Sequence, residues 1–238
     1  MGELKLIATP QSSYCARIQW ALKLKGVEYE FIEEDLLNKS PLLLKSNPAY
    51  KKVPTILHQG KPLAESLIIL EYIDQVWKHY PLLPHDPSDK AIARSSAKFA
   101  DEKVHTLCEF YCVRLIVEVW EAFKSEGEKK EKAIKAAVES LAIVDKQIEG
   151  KKFFGGERIG YLDLVYGWLA HWLNVMEEVG GMKLLDKESF PSLHQWCLNF
   201  INNPIIRKSI PSRENLVKYL KGSLRYHRAL AAANKIKQ

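Results

Sequence analysis

Apolar and polar positions alternate in two different rhythms along this chain. In the first part KLIAT is a short apolar run of strand length, and Ile18, Ala21 and Leu22 in CARIQWALKLKG then repeat at helical spacing until Gly26 stops them. YEFIEED reads as a second strand, NKSPLLLKSNP as a loop holding a short helix, and TILHQGKPLA as two strands joined by a turn at Gln59-Gly60. ESLIILEYIDQVW closes the unit as a helix with Ile69, Tyr72, Ile73 and Val76 on one face. The order strand, helix, strand, helix, strand, strand, helix predicts a mixed four-stranded sheet with helices packed on it.

Past residue 88 the period is helical throughout. Val104, Leu107, Cys108, Tyr111 and Leu115 form one stripe and Ile134, Ala137, Val138 and Leu141 a second. Val165, Trp168, Leu169 and Trp172 form a third, and Leu193, Trp196, Cys197, Phe200 and Ile201 a fourth that ends at Asn203-Pro204. Between the two regimes, PLLPHDPSDK is too rich in proline for helix or strand and serves as a connector. The predicted organisation is therefore an α/β domain over 1–80, a linker over 81–89 and an all-α domain over 90–238.

Composition narrows the function classes. With 47% hydrophobic and 27% charged residues in 238, the chain can bury two cores and has no disordered bias. No apolar run reaches the roughly 18 residues that span a bilayer, and MGELKLIATPQSS lacks a secretory layout, so no membrane partner and a cytoplasmic location are expected. The net charge of +6 comes from scattered lysines set a turn from glutamates, as in EGEKKEKAIKAAVE, a solvated helix face rather than a nucleic-acid surface. The densest basic stretch, Lys218 to Lys237, reads as a frayed polar terminus. Cys15, Cys108, Cys112 and Cys197 have no metal-ligand spacing, so no metal is expected.

Candidate chemistry sits between the first strand and first helix, in TPQSSYCAR. Backbone amides at a helix start carry partial positive charge, so an anion is stabilised there. Ser12 or Ser13 can equally cap the helix and do nothing else.

The pattern resembles a known family. Ser12-x-x-Cys15 stands where thioredoxin-like folds carry a redox Cys-x-x-Cys, and Val53-Pro54 precedes the third strand as their cis-proline does. DLLNKS, KKVP and ESLIILEYID together are similar to the glutathione-binding domain of plant tau-class glutathione transferases, and FADEK and IGYLD extend the resemblance into the helical part. It implies a thioredoxin-like N-terminal domain plus an all-α domain (the glutathione transferase fold), glutathione as co-substrate, a homodimer, and conjugation of the thiol to hydrophobic electrophiles, with hydroperoxide reduction as a side activity.

Carried over by position, the resemblance makes Ser12 the thiolate-stabilising residue. It puts Lys39, Lys52, Val53, Glu65 and Ser66 on glutathione, and Arg17 with Asp101, beside Glu65, in a supporting network. Tyr14, Leu36, His105, Glu109 and Trp168 would line the electrophile site between the domains. Departures keep alternatives open. Tau members usually read Ser-Pro-Phe where this chain has Ser12-Ser13-Tyr14, and Pro10 replaces a common tryptophan, so Ser13 rivals Ser12 for the thiol. A glutathione-dependent isomerase and a non-catalytic carrier (ligandin) of hydrophobic metabolites are the other readings. Cys15 is expected to pack rather than react, because the first position of the redox pattern is serine.

Overall fold

The computed structural model describes residues 3–101 and 115–236. Strands β1 (Leu4–Ala8), β2 (Glu30–Glu33), β3 (Thr55–His58) and β4 (Lys61–Ala64) form one sheet in the order β2-β1-β3-β4, with β1 parallel to β2 and antiparallel to β3. Helices α1 (Ser13–Leu24), α2 (Pro41–Ser46) and α3 (Ser66–Val76) complete the domain in the predicted order. Local chemistry places the boundaries. Gly26 takes φ +64 after α1, Ser40 caps α2 by accepting from the Leu43 N–H at 3.1 Å, and Gln59 and Gly60 both take positive φ in the two-residue hairpin. On α3 the buried face is Ile69, Leu70 and Ile73; Val76, assigned to it from the periodicity, is 42% exposed because the helix ends there.

A buried lysine joins this domain to the connector. The Lys25 ammonium donates to the carbonyls of Trp77 (2.8 Å) and Tyr80 (2.9 Å) and pairs with Asp74 at 2.7 Å. Asp74 in turn accepts from the Leu82 and Leu83 N–H groups. With a third carbonyl, that of His79, at 3.2 Å, the buried charge is tolerated because it is paired with a carboxylate and fully hydrogen-bonded.

Helix α4 (Pro87–Asp101) starts where Asp86 accepts from the N–H groups of Ser88 and Asp89 at 2.8 and 2.9 Å. Then come α5 (Leu115–Lys124), α6 (Gly127–Ile148), α7 (Tyr161–Tyr166), α8 (Trp172–Gly180), α9 (Pro191–Ile201), α10 (Pro204–Arg207) and α11 (Arg213–Ile236). The second and fourth stripes pack as predicted, with Ala137, Leu141, Leu193, Trp196 and Phe200 all buried and α9 stopped before Asn203-Pro204. Most of the first stripe lies outside the described residues; its member Leu115 is buried.

The third stripe is not one helix. A 3-10 turn over Gly167–Ala170 separates α7 from α8, and His171 at φ −136° breaks the period. Trp20 and Phe200 crowd this point so closely that a Cβ on Gly167 would lie 2.6 Å from their rings. The IGYLD motif holds the start of α7. Asp163 is buried and accepts from the N–H groups of Phe154, Gly155 and Gly160 and from the Trp196 indole, at 2.7–3.0 Å.

The basic tail corrects the expectation of fraying. It is helical to Ile236, and Leu216, Leu220 and Leu224 bury one face of α11, chiefly against α8. Lys218, Lys221, Arg225 and Arg228 are exposed on the other faces, so apolar spacing outweighs the charge density that suggested disorder. Among the described residues no helix is long and apolar enough to cross a membrane.

Candidate functional site

Sheet register assembles the site. Thr55 pairs with both Ile7 and Ala64, and Ala8 pairs with Glu33, so the end of β2, the end of β1, the start of β3 and the end of β4 share one edge of the sheet. The loops at that edge carry Leu36 and Lys39 after β2, Ser12 and Tyr14 after β1, Lys52 and Val53 before β3, and Glu65 and Ser66 after β4. Three inter-strand steps of about 4.8 Å make this edge roughly 14 Å wide. An extended tripeptide of roughly 10 Å fits along it.

Ser12 is the N-cap of α1. Its backbone is extended (φ −82°, ψ 121°), its N–H donates to the Thr9 carbonyl at 3.2 Å, and its Oγ accepts from the Cys15 N–H at 3.3 Å. Capping and thiol activation are compatible, since the cap uses an oxygen lone pair and leaves the hydroxyl hydrogen to donate. Ser13 is the first residue inside the helix. Cys15 is fully buried; burial pushes its thiol up to about 11, although the Ser12 hydroxyl and the Thr9 backbone pull the other way. A neutral, inaccessible thiol packs, as the sequence reading expected.

The cis peptide expected at Val53-Pro54 is present. The segment before it is held by residues that sequence reasoning missed: buried Asn47 donates from Nδ2 to the Lys52 carbonyl at 3.0 Å, and the Thr55 hydroxyl donates to the same oxygen at 3.0 Å. Glu34, also missed and 3% exposed, accepts from both the N–H and the hydroxyl of Ser40, at 2.6 and 2.7 Å, which fixes the loop carrying exposed Lys39. The available signal was the serine before Pro41, which marks a helix start; nothing in the sequence separates Glu34 from its acidic neighbours Glu33 and Asp35.

At β4's end Glu65 takes φ +70, a left-handed conformation costly for a residue with a Cβ, and makes no side-chain cap for α3. Behind it the fully buried Arg17 donates from Nη1 to Ser66 Oγ at 3.2 Å and to Asp101, and from Nη2 to Asp101 at 3.1 Å and to the Val165 carbonyl at 3.1 Å. Burial disfavours the guanidinium's charge, but the Asp101 carboxylate outweighs it and holds the group's pKa above its ordinary value. Of the expected network of Arg17, Asp101 and Glu65, the first two are hydrogen-bonded to each other, Glu65 lies outside their hydrogen bonds, and Ser66, not expected in it, accepts from Arg17.

Tyr14 lies half-buried with Arg17 5.1 Å from its ring centre, and burial raises its hydroxyl to about 12. Leu36 is 38% exposed on its loop, whereas Trp168 is 2% exposed with its indole N–H unpartnered among the described residues. His105 and Glu109 lie outside the described residues. A separate cleft of about 330 Å³, between the connector, the first turns of α4 and residues 154–162, contains none of the predicted site residues.

The family model of the glutathione S-transferase N-terminal domain matches residues 2–75, and that of the C-terminal domain matches residues 117–198. Glutathione transferase GST 23 of Zea mays is 43% identical over 215 residues, 90% of this chain and 92% of the relative. Glutathione S-transferase U7 of Arabidopsis thaliana is 38% identical over 222 residues, 93% of each chain. The tau class glutathione S-transferase of mango, Mangifera indica, has a TM-score of 0.83 at 39% identity, covering 92% of this chain and 97% of that one. Rice GST1, solved in complex with glutathione, has a TM-score of 0.82 at 30% identity, covering 95% and 99%. With both domains matched, and the sheet edge, the cis-proline and the serine-capped helix in place, the chain belongs to the glutathione S-transferase family, in its plant tau class.

Proposed function

We propose that this glutathione transferase lays glutathione along the sheet edge and uses the Ser12 hydroxyl to stabilise its thiolate for attack on apolar electrophiles. The observation that carries the reading is the register that brings the Ser12, Val53, Glu65-Ser66 and Lys39 loops to one edge. Ser66 and the amides opening α3 suit the α-carboxylate of the γ-glutamyl end, and the exposed Glu65 carboxylate suits its amino group. Val53 pairs its backbone with the cysteinyl residue as an added strand, while Lys39 and Lys52 meet the glycyl carboxylate.

The chemical demand is modest. A thiol of pKa about 8.5 is a few per cent thiolate at pH 7, and lowering that pKa by roughly two units enriches the nucleophile about twentyfold. Donation from Ser12, aided by the α1 amides, favours the charged sulfur; the proton leaves to solvent. The sulfur lone pair then forms the carbon–sulfur bond as the electrophile expels its leaving group or moves a double-bond electron pair onto its acceptor end. Tyr14 and the exposed Leu36 are the side chains proposed to meet the electrophile, with the buried Trp168 contributing from the helical domain. The working unit is a cytoplasmic homodimer.

Ultraviolet difference titration of bound glutathione against pH tests the assignment in the unchanged protein, Ser12→Ala and Ser13→Ala. A depressed thiol pKa lost only with Ser12 is the expected result. Loss only with Ser13 overturns the serine assignment, and tight binding of apolar ligands with no depressed pKa in the unchanged protein makes the chain a carrier.

A further inference from the structure

We infer that Trp172, from the helical domain, is a positioning residue for Ser12 and sets how strongly its hydroxyl stabilises the glutathione thiolate. This rests on Ser12 being the thiolate-stabilising residue. The Trp172 indole N–H donates to the Gln11 carbonyl at 2.8 Å, across 161 residues of sequence. The Gln11 carbonyl and the Ser12 N–H belong to one planar peptide unit. Its other end is also tied, because the Ser12 N–H donates to the Thr9 carbonyl at 3.2 Å. With both ends held, the peptide plane that carries the Ser12 Cα is fixed, and the Oγ is set on it by the Cys15 N–H, from which it accepts at 3.3 Å.

The rest of the loop cannot do this alone. Pro10 has no N–H to anchor, and the Thr9 hydroxyl is spent on Gln11 Oε1 at 2.9 Å, inside the same turn. Trp172 is itself rigid: it is 4% exposed, packs edge-on against Trp20 of α1 with ring centres 6.0 Å apart, and opens α8. Its neighbour His171 hydrogen-bonds through Nε2 to the Pro211 carbonyl at 3.0 Å, just before α11. The break between α7 and α8 that sequence periodicity did not show is what turns this indole toward the first domain.

Trp172→Phe in the full-length protein keeps a ring against Trp20 and removes only the donor. Its bound-glutathione thiol pKa should rise by about half a unit, because one hydrogen bond is worth roughly 1 kcal/mol and acts here through an intermediate residue. Turnover at pH 6.5 should then fall about twofold with the KM for glutathione unchanged, and recover above pH 8 where the bound thiol is almost wholly ionised in both proteins. In a Ser12→Ala background the same substitution should add no further shift. A titration curve superimposable on the unchanged protein's, or a loss of turnover equal at every pH, overturns the positioning role. If Ser12→Ala alone leaves the titration unmoved, the serine assignment falls and this inference with it; if Ser12→Ala shifts it and Trp172→Phe does not, only this inference falls. Should Trp172→Phe not fold, exchange of the Trp172 indole proton in the unchanged protein decides. Slower exchange with saturating glutathione supports the coupling, and an unchanged rate overturns it.

Discussion

Two helix starts face the same sheet edge and are built in opposite ways. At α1 the strain is low: Ser12 is extended, caps its own helix, and the Gln11-Ser12 peptide is tied at its N–H by the Thr9 carbonyl and at its carbonyl by Trp172. At α3 no side chain caps the helix, Glu65 sits at φ +70, and a buried guanidinium–carboxylate pair stands behind Ser66. The difference follows the charge each end is proposed to meet. A thiolate needs one well-aimed donor, whereas an amino acid's paired charges need uncapped amides, a free carboxylate and a fixed positive charge nearby.

Asp101→Ala should break the contrast most severely. It leaves the Arg17 guanidinium buried without its carboxylate, costing about 3–5 kcal/mol, seen as a lower midpoint in urea together with a raised KM for glutathione. Ser12→Ala should instead spare binding and lower turnover at pH 6.5 by about tenfold to a hundredfold, the worth of a hydrogen bond to a charged group, while losing about 1 kcal/mol of capping stability. Affinity should therefore fail at one helix start and reactivity at the other. If both substitutions move KM alone, the two ends are not specialised.

Glu65→Gly sharpens the same comparison with the opposite sign on stability. Glycine accepts positive φ, so the protein should gain about 1 kcal/mol in a thermal melt while its glutathione affinity falls. The smallest effect is expected at Cys15. With its pKa near 11 it should resist alkylation in the folded protein at pH 8, checked by mass spectrometry, and Cys15→Ala should leave the bound-thiol titration in place. Its folded pKa lies above the ordinary value of 9.0, so its contribution to stability is complete below pH 9 and declines as pH rises toward 11.

What could be read from the chain alone was what is decided within a few residues. Strand and helix periods, the Gln59-Gly60 hairpin, the serine before α1 and the stop at Asn203-Pro204 are each set by dihedral preference and hydrogen bonds between near neighbours. The family resemblance extended this to the cis peptide and to the residues of the sheet edge. Tertiary structure decided which of many charged and aromatic side chains meet beyond the Arg17–Asp101 pair that the resemblance implied: Arg17 with Ser66 and the Val165 carbonyl, Trp172 with Gln11, Lys25 with Asp74 and three carbonyls. It also ordered the basic tail as α11 and broke the third stripe at His171. Those outcomes depend on the packing of segments tens of residues apart, where burial removes water as the competing partner, and spacing along the chain carries no record of that.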